Sequence, residues 1–429
     1  MQALLSFDQS PPIGAPFRFF LTAPIFAILA GVLLVFNGPE AFSSRWTPSA
    51  LALTHLMTAG FMLQVMLGAL QQLLPVVVGV NLSRPSIIAK VVHAAVTPGA
   101  LLLALAFLEN EPMLFGSAVV FLVAGVAVFL AAAAHALYGV TENNPTIIGF
   151  RISLFGLCVT TVSGSVMAVS VGLSLNLPLA LLTDLHLGWG FMVWGCTLLV
   201  AVAFVAIPMF QLTPAYPAWF AQWFAGTVVV SVTMWTIAEL ADLPIPATLL
   251  NVIVVMLAGL FGIVTLHILQ RSKRTKRDAS RYFWTAAMSS ALLACAVWLC
   301  ARFIGPLDQW RDWSLLFGVL ILFGCFMSAI VGMLYKIVPF LVWLHLQNQG
   351  GALVRAPNVK KVLPQFRIDR QMLVHFLACT LLLLSVFWPT WFIYPAGLVL
   401  IIANVWLLLN LLYATRVYVR QVAIIERAG

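Results

Sequence analysis

The chain has 429 residues, 62% of them hydrophobic and 8% charged, with a net charge of +9. Soluble domains carry roughly a quarter of their residues charged, so this composition cannot build a water-facing surface. It excludes a soluble enzyme or nucleic-acid-binding module, and the excess of Lys and Arg reads as an orientation signal in a polytopic membrane protein.

Met1 to Pro16 has no basic n-region, so the sequence predicts no cleavable signal peptide. Runs of about 20 apolar residues match a bilayer core. Twelve are predicted, roughly at 17–37, 49–79, 86–108, 113–138, 146–173, 181–210, 217–239, 246–270, 281–304, 313–345, 371–392 and 394–419. Backbone polar groups inside lipid must be satisfied within each segment, so the spans are helices. The only long connection predicted on the inner side is 347–370. With the first residues inside, 18 Lys and Arg fall on the cytoplasmic side, three outside and one, Lys336, within a span. That bias orients both ends of the chain to the cytoplasm. The run 271–281, RSKRTKRDASR, then reads as an ordinary cytoplasmic loop, and the six cysteines, all within spans and without a CxxC pair, as small buried apolar residues.

Several landmarks recur at one spacing. The second span runs from His55 through Gly68 and Pro75 to Gly79; Gly332 and Pro339 repeat its Gly-x6-Pro spacing, and Phe61-Met62 returns as Phe326-Met327. Pro75, Pro208 and Pro339 stand 133 and 131 residues apart, and His135 and His267 stand 132 apart. Self-similarity of this kind predicts repeated units. The expected fold is an all-α integral membrane protein, twelve transmembrane helices in three pseudo-threefold four-helix repeats. It forms a single transmembrane domain over 1–429, with units at about 17–145, 146–279 and 280–429.

Ionisable residues inside spans are costly and point to function. His55 and His186 lie at the outer ends of the second and sixth spans, 20 and 22 residues before their prolines, and are the first candidates for haem or metal ligation. Asp184 is a candidate partner that fixes the His186 tautomer. The competing reading is two polar residues lining an outer vestibule. His93 and His375, near the starts of the third and eleventh spans, are further cofactor candidates. His135 and His267 read as interfacial. Lys336, with Tyr335 beside it, suits an anionic-ligand site or a proton path, or simply snorkels.

Twelve spans in threefold four-helix repetition, with His55, Gly68, Pro75 and Gly79 on the second, resemble subunit I of haem–copper oxidases and nitric oxide reductases. The opening PFRFFLTAPIF at 16–26 is similar to the NnrS group of haem- and copper-containing membrane proteins. The resemblance implies a bacterial-type inner membrane, haem or copper, and a respiratory electron-transfer partner. Nucleic acid is not among the expected partners. Yet the tenth span carries Val319 and Phe317 where that superfamily places axial histidines, and the seventh has no histidine. No Asp or Glu lies deep in a span. The expectation is therefore a haem- or copper-associated protein in respiratory or nitric oxide metabolism with a reduced ligand set, and not a proton-pumping terminal oxidase. Two alternatives stay open: a transporter or channel, and a non-catalytic scaffold or assembly factor for a respiratory complex.

Overall fold

The computed structural model describes residues 9–275, 278–305, 310, 312–350 and 356–428. Among them are twelve helices long and apolar enough to cross a bilayer. They are α1 (Gly14–Phe42), α2 (Pro48–Val78), α3 (Pro85–Glu109), α4 (Pro112–Leu137), α5 (Pro145–Gly172), α6 (Leu179–Gln211), α7 (Ala218–Leu240), α8 (Pro244–Gln270), α9 (Ala279–Phe303), α10 (Trp313–Gly350), α11 (Gln365–Phe387) and α12 (Pro389–Arg427).

The sequence marks most of these boundaries. Pro48, Pro85, Pro112, Pro145, Pro244 and Pro389 open helices at the first turn, where a missing N–H costs nothing. Thr47, Asn144 and Asp278 cap α2, α5 and α9, accepting from the backbone N–H of Ala50, Ile147 and Arg281 at 3.1, 2.9 and 3.2 Å. At the far end of α2 the chain leaves the helix through Gly79 at φ 76°, a left-handed turn that glycine adopts without strain.

Burial separates the helices into two classes. In α2, α6 and α10 the apolar windows are 83, 67 and 72% buried, against 28–56% in the other nine. These three therefore form the interior and the rest face lipid. The same three carry π-helical stretches, at Leu56–Met62, Gly188–Cys196 and Leu320–Met327, with a second on α2 at Leu74–Val78. Around them α4 packs along α5, α8 along α9 and α12 along α1, so the first and last helices close a ring. At that closure a Cβ on Gly31 would stand 2.7 Å from the Gly397 carbonyl oxygen, and one on Gly397 2.8 Å from that of Gly31. Small residues permit such backbone approach.

Two expected boundaries are corrected. The last two helices were expected to divide near residue 393; they divide at Trp388, whose φ of −134° and ψ of 67° leave the helix ahead of Pro389. The residue before a proline is pushed out of the α region, whereas Pro395 is accommodated inside α12. The expected loop 347–370 is shorter than it looked. α10 continues to Gly350, a turn of helix spans Val359–Val362, and Val362 and Leu363 are buried against the core.

Candidate functional site

His55 ends the first α-helical part of α2, directly before the π stretch. Its Nδ1 lies 2.8 Å from the Leu51 carbonyl and must donate to it, leaving the Nε2 lone pair free. The ring stacks on Phe107 of α3, centroids 4.8 Å apart. His186 is placed similarly on α6, two residues before its π stretch. Its Nδ1 is 3.0 Å from Ser163 Oγ on α5. Ser163 spends its own proton on the Thr160 carbonyl at 3.1 Å, so the imidazole is again the donor and Nε2 again carries the lone pair. The approach of α5 is tight: a Cβ on Gly164 would be 2.9 Å from His186 Cε1.

Asp184 is not the tautomer-fixing partner. Residues two apart point to different sides of a helix, and Asp184 turns outward to Arg45, 3.5 Å away in the loop before α2. Arg45 also lies over the Trp46 ring, 4.7 Å from its centroid. Ser163 and Thr160 were missed by sequence reasoning. They sit in a TTVSGS run on a different helix, and nothing local to His186 points to them.

The other two histidine candidates lie apart from this pair. His93 Nε2 donates to Thr22 Oγ1 at 2.8 Å, since that hydroxyl already donates to the Arg18 carbonyl. His93 meets Phe19 edge-on at 5.3 Å. His375, 1% exposed, donates through Nε2 to Ser328 Oγ at 2.9 Å, and its Nδ1 is buried without a partner. It meets Phe283 edge-on at 5.1 Å. Among the described residues no group of three or more His, Cys, Asp or Glu is arranged to hold a metal ion. Val319, at the α10 position corresponding to His55, is buried and offers no donor atom.

Lys336 reaches towards the connection before α9, apart from Tyr335. Its ammonium bonds Asp278 Oδ2 at 2.5 Å, and Arg274 reaches the same oxygen at 2.7 Å. Tyr335 faces the other way, its hydroxyl taking a hydrogen bond from Asn410 of α12 at 3.1 Å. Asp278 thus caps α9, neutralises Lys336 and ties down the basic connection before it. The separation of 58 residues hid the pair from the sequence.

Between α2, α6 and α10, at the end where the basic residues gather, lies a cavity of about 50 Å³. Its walls are apolar except at Gln72. Five lining positions on α2 (69, 72, 73, 76 and 77) reappear on α6 shifted by 133, and four of those five on α10 shifted by a further 131. The missing fifth position is Lys336, drawn away to Asp278.

No protein-family model matches the chain, and no curated protein is significantly similar to it.

Proposed function

We propose that this is a membrane protein of the haem–copper oxidase subunit I architecture, three four-helix units about one axis, with a reduced ligand set and a role in respiratory or nitric oxide metabolism. The proposed setting is a bacterial-type inner membrane, with the basic end of the bundle in the cytoplasm and the His55 end outside. Several features favour three units. The innermost helices recur every fourth position, their π stretches fall at the shifts that relate the prolines, and His93 and His375 contact aromatic residues 264 apart.

The observation that carries the function is the pair of free Nε2 lone pairs. Imidazoles that ligate a metal usually donate the other ring nitrogen to a fixed acceptor, and His55 and His186 both do so. Two nitrogens suit a single copper ion or an axial position on a haem iron. They do not suit a haem held by two histidines between α2 and α10, because Val319 cannot ligate. A group bound there would supply one-electron chemistry or bind a diatomic gas. The chain's own part is to hold both rings in the ligating tautomer, to shield one face of His55 with Phe107, and to brace the rim through Arg45 and Asp184.

The test is a visible spectrum and metal analysis of the protein purified in detergent. A haem band or stoichiometric copper is expected, lost in His55→Ala and His186→Ala while the protein stays folded. Absence of a Soret band, with copper at background, rejects the reading.

A further inference from the structure

We propose that the cavity between α2, α6 and α10 binds a small apolar gas, a molecule of one or two atoms dissolved from the membrane. It lies far from the histidine pair: Gln72 is 17 residues along α2 from His55, about 25 Å at helical rise. Its contents therefore do not depend on a metal there.

The void has a cause in the chain. Each of the three inner helices carries a proline at this depth: Pro75 in a π stretch, Pro208 and Pro339 inside α-helix. Prolines are a recognised cause of helix bending, and three of them at one level give a reason for the axis to stay open there. Ala69 and Ala206 are too small to fill the space.

Size and chemistry select the guest. About 50 Å³ is roughly a third of the apolar cavity volume that accepts benzene, so an aromatic ring or quinone head is too large. Water needs two to four polar partners, and the wall supplies one: Gln72 is 5% exposed, its amide nitrogen donates to Ser10 at 3.2 Å, and its Oε1 has no partner. The only other polar side chain whose position belongs to this wall, Lys336, is bound to Asp278. An uncharged, nearly apolar gas is the guest that asks for no more than this wall provides.

Xenon is the probe. Density maps of the full chain under xenon pressure should show a peak on the axis between Val77, Phe210 and Leu341, lost in Ala206→Phe. A wild-type map without xenon there, or with ordered water or a lipid chain filling the volume, overturns the assignment. So does a peak of unchanged height in Ala206→Phe. Should that variant fail to assemble, Val205→Leu, read by xenon-129 exchange NMR, makes the same comparison: a weakened bound signal supports the site and an unaltered one rejects it.

Discussion

The two ends of α2, α6 and α10 are built on opposite principles. At one end the corresponding positions hold His55, Gly188 and Val319, with His186 two residues before its counterpart, and the character of the place comes from two polar side chains whose outward nitrogens are left free. At the basic end the corresponding positions hold Gln72, Val205 and Lys336, and the character comes from a space left open between the three proline-bearing helices. One end is defined by atoms and the other by their absence. Among the described residues, the ion pair drawn into the bundle, Lys336 with Asp278, lies at the basic end and holds that charge away from the void.

That contrast can be broken most severely at Asp278. Asp278→Ala removes the α9 cap and strands the Lys336 ammonium within the bundle, where its side chain is 18% exposed. Breaking a buried pair from one side costs about 3–5 kcal/mol, so thermal unfolding in detergent should show a large drop in midpoint. Adding Lys336→Gln, which gives α10 the residue of α2, should recover most of it. A single variant as stable as the parent would mean the pair is incidental.

A mid-helix comparison comes next. A Cβ on Gly332 would lie 2.5 Å from Phe283 Cβ, which cannot move without its backbone, whereas one on Gly68 would meet the ring edge of Phe20 at 2.9 Å. Gly332→Ala should cost about 1–3 kcal/mol by overpacking, and Gly68→Ala distinctly less. Equal losses in unfolding midpoint would argue against the packing described. At the histidine end, if the proposed ligation by His186 holds, Ser163→Ala should weaken metal retention about 10–100-fold, as expected when the group orienting a ligating imidazole is lost, with little change in stability. Titration with a copper chelator would measure it. The smallest effect is expected from Arg45→Ala. Its pair with Asp184 is about half exposed, so about 0–1 kcal/mol is at stake, and any loss should vanish in high salt.

Much of the frame was legible because lipid imposes a simple rule. Apolar length sets each span, and Pro or Asn at the first turn sets its start. The π stretches were not legible, since one extra residue in a turn leaves the apolar pattern of LMTAGFM unchanged. At the candidate site the histidines could be singled out from the sequence, but not the partners they bond. Reading Asp184 as the partner of His186 relied on closeness in sequence, and on a helix two residues apart is the wrong separation for contact. Tyr335 and Lys336 repeat the lesson, being adjacent in the chain and bonded to α12 and to Asp278 respectively. The cavity could have been anticipated from the shifts relating Pro75, Pro208 and Pro339, because those shifts generate its lining.

The glycine contact between Gly31 and Gly397 bears on how the molecule is made. The two residues are 366 positions apart, so α1 enters the membrane long before its counterpart is synthesised. Throughout that interval its small-residue face has only lipid or an insertion chaperone to lie against. Final closure is thus a late zippering event, and a bulky residue at either glycine should stall biogenesis with eleven helices already inserted.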